Sequence, residues 1–126
     1  MLYPSKLTQL NPAITIPVFI GTLFQFRDRI HLAHLSTTSY ASHGALNELY
    51  EGLLDQIDAL AESAQAEGLL KITIPQSDPS DESVAQELLD FVRTNRYIFP
   101  YSYQNQIIDN IEELGCKTVY KVRFLK

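Results

Sequence analysis

Three histidines lie on either side of a short run of hydroxyl residues. His31 and His34 come before this run, at 36–39, and His43 comes after it. Hydroxyl side chains compete for backbone hydrogen bonds and favour turns and helix starts, so the run predicts a turn between two helices. If these helices are antiparallel, His34 lies level with His43, and His31 lies level with Leu46. Neutral imidazole is a common ligand of transition metals, and a helix-end histidine that only makes hydrogen bonds is the simpler alternative.

Two carboxylates lie further along the second of these helices. Asp58 and Glu62 are four residues apart, which places them on adjacent turns of one helix face, where they can hold one ion together. A solvated acidic face is the simpler alternative. At a rise of ~1.5 Å per residue, His43 and Asp58 are separated by about 22 Å along the helix axis. They therefore cannot share an ion within one chain.

A second copy of the chain brings the two groups together. We consider the same helix paired antiparallel with its copy, about a two-fold axis near Gly52. His43 then faces Glu62 of the other copy. Asn47 faces Asp58 in the same way. Because a two-fold contact is the commonest symmetry of homodimers, the sequence predicts a homodimer through this helix with two equivalent half-histidine, half-carboxylate sites.

Four helices are predicted to position these residues. The clearest is the second, because its apolar residues repeat at helical spacing on one face. The tail at 116–126 also shows the alternation of a strand, but we favour a helix there. The predicted elements are an extended N-terminal arm over 1–14, helix A over 15–36, helix B over 39–67, an extended crossover over 68–80, helix C over 81–97 and helix D over 101–125.

The predicted crossover decides the topology. Helix B is about 40 Å long, and a dozen extended residues also reach about 40 Å. Segment 68–80 is therefore long enough to follow helix B from end to end and to let helices B and C lie parallel, as they do in ferritin-like bundles. The sequence predicts an all-α, ferritin-like four-helix bundle with a long crossover and an extended N-terminal arm.

Composition excludes several classes of protein. The chain has 126 residues, of which 45% are hydrophobic, and this fits a single domain. A net charge of −5 makes nucleic acid an improbable partner, and the most apolar early stretch is too short for a membrane span. Cys116 alone forms neither an internal disulfide nor a cysteine cage for zinc, so a reducing compartment is expected. No phosphate-binding loop or nucleophile motif is present, so we assign no catalytic residue and no residue that binds an organic cofactor.

The histidines and carboxylates together resemble a known pattern. His31, His43, Asp58 and Glu62 are spaced like the ferroxidase residues of the ferritin-like Dps family (DNA protection during starvation). That resemblance implies iron bound between subunits, with imidazoles from one chain and carboxylates from its two-fold mate. It leaves His31 and His34 as alternatives for one ligand. The set of expected metal ligands is His31, His34, His43, Asp58 and Glu62.

A second resemblance covers 34–58. This segment is similar to the pattern HxxTxSYAxHxALxxxYxxLxxxID of small tailed-phage proteins with a ferritin-like appearance. The similarity implies a phage protein that is found in the cytoplasm of the infected bacterial host or in the virion. The expected assembly is the homodimer through helix B, with a higher homo-oligomer left open.

Two functions stay open from the sequence. The first is a Dps-like protein that binds iron or another divalent metal between subunits, with ferroxidase activity if it is an enzyme. The second is a catalytically inactive bundle that serves as a phage virion component or as a protein-interaction module. The retained His43, Asp58 and Glu62 favour the first, whereas Asn47, which stands where the Dps pattern has an aspartate, favours the second.

Overall fold

The structure is a computed structural model that describes residues 14–68, 71–72 and 81–125. Within these ranges the protein is all-α and contains no strand. The predicted arm at 1–14 lies outside the described residues except for Ile14, and most of the predicted crossover at 68–80 lies outside them too. The elements are α1 (Ile16–Ser36), α2 (Tyr40–Ala66), α3 (Val84–Asn95), a 3-10 turn (Arg96–Ile98) and α4 (Ser102–Phe124).

Short polar side chains set where the first two helices begin. The Thr15 hydroxyl accepts a hydrogen bond from the Val18 backbone N–H at 3.4 Å, and Pro17 follows in the first turn of α1. The Ser39 hydroxyl accepts from the Ser42 N–H at 3.2 Å and starts α2. Only residues 37–39 separate the two helices, so α1 and α2 form a tight antiparallel hairpin.

Helix α3 begins at Val84, later than the expected start at 81. Asp81 accepts a hydrogen bond from the Ser83 backbone N–H at 2.8 Å, and bonds with Ser83 lower the pKa of Asp81. This local bond holds 81–83 as a turn, because the side chain replaces the partner that the N–H would have in a helix.

The alternating tail of the sequence is helical. Helix α4 continues to Phe124, with Ile111, Gly115, Thr118 and Val122 buried along one face. These positions follow a helical repeat and pack toward the other helices, so burial rather than local alternation decides the structure of this segment.

The four helices pack in a ring in which α1 contacts α2 and α3, and α4 contacts the same two helices. Helices α2 and α3 therefore lie diagonally across the bundle. Helices α2 and α4 are antiparallel. Lys121 near the end of α4 pairs with Glu48 in the first half of α2, whereas Asn110, earlier in α4, bonds to Gln56, later in α2.

Helices α1 and α3 are also antiparallel. Arg29 pairs with Glu87, while Phe19, earlier in α1, packs on Phe91, later in α3. Since α1 is antiparallel to both α2 and α3, those two helices are parallel. The end of α2 and the start of α3 consequently lie at opposite ends of the bundle.

The core fills the space between the helices with aliphatic and aromatic side chains. Phe19 of α1 belongs to this core, and the centre of its ring lies 5.0 Å from the ring centres of Phe91 and Phe99. The largest fully buried side chains come from all four helices: Phe19, Ile20, Leu23, Ile30, Leu46, Leu49, Leu53, Ile57, Leu60, Leu88, Ile108 and Ile111. Among the described residues, no helix has the length and apolar character that a membrane crossing requires.

Candidate functional site

His34 and His43 form a reciprocal pair across the α1–α2 turn. The Nδ1 of His34 lies 2.8 Å from the backbone oxygen of His43, and the Nδ1 of His43 lies 2.9 Å from the backbone oxygen of His34. Their rings stack with centres 3.9 Å apart. A carbonyl oxygen only accepts, so both Nδ1 atoms donate, and the neutral tautomer that fits this bonding has its lone pair on Nε2.

His31 extends this pair into a column of planar groups. Its ring centre lies 6.1 Å from that of His34 and 4.1 Å from that of Tyr50, on which it stacks. The guanidinium of Arg27 lies 4.4 Å from the centre of the Tyr50 ring and donates to its hydroxyl at 3.1 Å. The structure thus brings the three predicted histidines together on one side of the α1–α2 hairpin.

The register of the hairpin follows from its turn. Thr37 accepts a hydrogen bond from the Ser39 N–H at 3.2 Å and donates one to Glu82, which precedes α3. Ser42 is fully buried one turn into α2. These contacts fix the end of α1 against the start of α2, and this alignment places His34 level with His43.

The predicted carboxylates lie elsewhere on α2. Asp58 and Glu62 are exposed, and neither has a hydrogen bond or ion pair with a described residue. Across the described part of the chain, no group of three or more histidine, cysteine or acidic side chains could hold a metal ion. One chain therefore supplies imidazoles at the turn and carboxylates about 22 Å away along α2.

The outer face of α2 is strongly acidic. Exposed carboxylates occupy this face, and the helix contains no lysine or arginine. Glu48 pairs with Lys121 of α4 at 2.8 Å, but no other acid on this face has an ion pair with a described residue. Like charges four residues apart on a helix repel each other, so this face favours a bound cation. The acids are Glu48, Glu51, Asp55, Asp58 and Glu62.

Gly52, near which the predicted two-fold axis lies, faces a helix of its own chain. An added Cβ there would lie 3.2 Å from a methyl carbon of Leu114 in α4. The close packing of α2 on α4 explains this glycine within a single chain.

Sequence reasoning missed Arg27 and Tyr50. Arg27 is four residues before His31 and therefore on the same face of α1, which is a signal that the sequence contains. Tyr50 joins the column only through the register of two helices, and residue spacing alone does not give that register.

Comparison with known proteins places the chain in a sequence family. Residues 34–122 match a family described as "Family of unknown function (DUF5856)". The matched range includes His34, His43, Asp58 and Glu62 but starts after His31. No curated protein and no solved structure matches the chain. Because the match covers well over half of its residues, the chain belongs to this family of unknown function.

Proposed function

We propose that this protein is a ferritin-like, Dps-like bundle that binds iron or another divalent transition metal between two copies of the chain. His43 and either His31 or His34 supply imidazole ligands from one copy. Asp58 and Glu62 supply carboxylate ligands from the other copy. The observation that carries the proposal is the reciprocal bonding of His34 and His43.

This bonding prepares an imidazole to bind metal. Metal-binding histidines usually donate their second ring N–H to a carbonyl or carboxylate, which fixes the tautomer and orients the ring. His34 and His43 each make such a bond to a backbone oxygen, at 2.8 and 2.9 Å. The Nε2 atom of each neutral ring is then the available ligand atom.

The helix arrangement supports the ferritin-like part of the proposal. Helices α2 and α3 lie diagonally and parallel, and such a bundle needs one long connection between its second and third helices. Ferritin-like bundles have this connectivity. In this proposal the protein acts in an infected bacterium or in a virion, which the resemblance of 34–58 to small tailed-phage proteins supports.

The acidic face of α2 makes the proposed dimer dependent on metal. With a two-fold axis near Gly52, the two copies of Glu51 are separated by only about 5 Å when the distance is measured along the axis of α2. The contact is repulsive without a cation, whereas a metal bound by Asp58 and Glu62 offsets this repulsion. If the site oxidises Fe(II), iron is the substrate, and dioxygen or peroxide accepts the electrons.

An anaerobic Fe(II) titration tests the proposal. We expect one or two ions per shared site by elemental analysis, together with a change from monomer to dimer by sedimentation velocity. His43→Ala and Asp58→Asn should each remove both effects, and Asp28→Asn, which neutralises an exposed acid on α1, should keep both. Exposure to air then tests oxidation by absorbance. A dimer that forms equally well without metal, or metal binding that survives in Asp58→Asn, would contradict the shared site.

A second candidate is a catalytically inactive protein-interaction module, such as a virion component. Leu32 and Leu35 on the outer side of α1 are 57% and 64% exposed, and Tyr40 at the start of α2 is 93% exposed. Large exposed apolar side chains at one end of a bundle favour a protein partner. This function predicts that the chain is present in purified phage particles and that His43→Ala leaves its incorporation unchanged.

A further inference from the structure

A separate cavity lies at the end of the bundle opposite the histidines. It is open to solvent and has a volume of about 410 Å³. It forms where α1 begins, α2 ends and α4 begins, so it shares no residue with the proposed metal site. Its lining includes Pro17, Ala64, Glu67, Pro100, Tyr101 and Gln104.

Gln104 lines this cavity and has an unused hydrogen-bond acceptor. Its side chain is only 1% exposed, and its Oε1 atom is buried without a hydrogen-bond partner among the described residues. Leaving a buried polar atom unpartnered costs roughly 1–3 kcal/mol. A ligand that donates a hydrogen bond here would remove this cost.

Glu67 gives the cavity a negative charge next to aromatic rings. Tyr103 donates a hydrogen bond to Glu67, and the rings of Tyr101 and Tyr103 stack with centres 5.3 Å apart. Hydrogen bonding to Glu67 raises the pKa of Tyr101 and raises that of Tyr103 to about 12, so both phenols stay neutral at ordinary pH. An ionised carboxylate beside tyrosine rings attracts organic cations.

The described lining of the cavity contains no positively charged side chain. Lysine, arginine and histidine are all absent from it. The start of α1 offers few free backbone N–H donors, because Pro17 has no N–H and the N–H of Val18 bonds to the Thr15 hydroxyl. Acceptors, one negative charge and apolar ring surfaces therefore dominate the described lining.

We propose that this cavity binds a primary ammonium group carried on an aliphatic stem. The ammonium would pair with Glu67 and, once the Gln104 amide turns toward the cavity, donate to its Oε1. The stem would pack against the prolines and the ring of Tyr101. Two molecules carry this chemistry: a lysine side chain of another protein and a free diamine. The site is independent of the metal proposal and stands if that proposal fails.

A titration of the full chain tests this site by two-dimensional NMR of backbone amides. The probes are N-acetyl-lysine methylamide, 1,4-diaminobutane and the uncharged N-acetyl-norleucine methylamide. We expect saturable shifts at Glu67, Gly68 and Gln104 with at least one ammonium probe and none with the uncharged probe. Tighter binding of the lysine amide would identify a protein side chain as the ligand, and tighter binding of the diamine would identify a free amine.

Variants separate the charge from the hydrogen bond. Glu67→Gln keeps the shape of the side chain and should weaken binding at least tenfold, and Gln104→Leu should also weaken it. Asp28→Asn removes one exposed charge from α1, outside the lining of the cavity, and should leave the affinity unchanged. Thermal unfolding of each variant shows that it is folded. The proposal is overturned if no probe gives saturable shifts, if the uncharged probe binds equally well, or if folded Glu67→Gln keeps its affinity.

Discussion

The His34–His43 pair shows how much of a site depends on the relative position of two backbones. Each imidazole bonds to the backbone oxygen of the other residue, and the rings stack at 3.9 Å. The two side chains therefore stabilise the hairpin jointly, since each needs the register that the other supports.

We predict that this pair is energetically coupled. His34→Ala and His43→Ala should each lower the free energy of unfolding by about 1 kcal/mol, because each removes a hydrogen bond and a stacked ring. The double variant should lose at least about 0.5 kcal/mol less than the sum of the two single losses. Urea unfolding of the four proteins measures this coupling, and strictly additive losses would show that the two rings act independently.

The tyrosines near Glu67 make a second prediction for single residues. Tyr103 has its pKa raised to about 12 by its hydrogen bond to Glu67, whereas an unfolded tyrosine titrates near its ordinary value of 10.0. The folded state therefore holds this proton more tightly. Its contribution to stability is fully present below pH ~10 and is lost as the pH rises toward 12.

Ultraviolet absorbance of tyrosinate tests this raised pKa. We expect a late ionisation near pH 12 that belongs to Tyr103, and we expect Glu67→Gln to move it toward the ordinary value of 10.0. Tyr103→Phe should remove the late step from the titration curve. A late step that persists in Tyr103→Phe would assign it to another tyrosine.

Residue spacing predicts part of the two candidate sites. It places His34 level with His43, and Asp58 with Glu62 on one helix face, because both follow from helical geometry. It misses the cavity of Glu67 and Gln104, since these residues are far apart in the sequence and meet only where three helix ends converge. Helix ends meet through packing angles that no local pattern contains.

At the scale of elements, two glycines of α2 have different surroundings. Gly44 has open space where a Cβ would lie, whereas a Cβ at Gly52 would lie 3.2 and 3.3 Å from two methyl carbons of Leu114. Neither has the positive φ that favours glycine. The difference between them is therefore one of packing and not of backbone conformation.

We predict different outcomes from the substitutions Gly44→Ala and Gly52→Ala. The first should stabilise the protein by about 0.5–1 kcal/mol, because alanine favours a helix and meets no neighbour. The second should gain less or lose stability, because Leu114 must move to admit the methyl group. Urea unfolding of both variants provides the comparison, and equal gains would show that α2 and α4 pack more loosely than the structure has them.

Helix periodicity predicts the type of each element more accurately than it predicts the residues at which the element begins and ends. The apolar repeat of Leu46, Leu49, Leu53 and Ile57 predicts a long buried helix, and α2 has these side chains in the core. The start of α3 differs because Asp81 bonds to Ser83, a local choice that competes with the helix. The end of α4 shows the reverse case, in which burial of Val122 overrides an alternating pattern.

At the scale of the whole molecule, charge is distributed unevenly between the helices. Helix α2 carries five exposed carboxylates and no lysine or arginine, while the last turns of α4 carry Lys121 and Arg123. Four helices were predictable from periodicity, but the ring order, with α2 diagonal to α3, is a property of the packed bundle. Among the residues that the structure describes, that order leaves the outer face of α2 exposed.

This arrangement predicts that Glu51 controls self-association. In the proposed dimer the two copies of Glu51 lie near the two-fold axis, so Glu51→Gln should relieve repulsion and strengthen dimer formation without metal. Added salt should act in the same direction in the unmodified protein, because at 0.1 M it weakens repulsion between exposed charges and largely screens those more than about 10 Å apart. Sedimentation velocity without metal measures both effects, with Asp28→Asn as a matched charge control on α1. If Asp28→Asn strengthens association as much as Glu51→Gln, net charge rather than the α2 face governs assembly, and the two-fold contact through α2 must be abandoned.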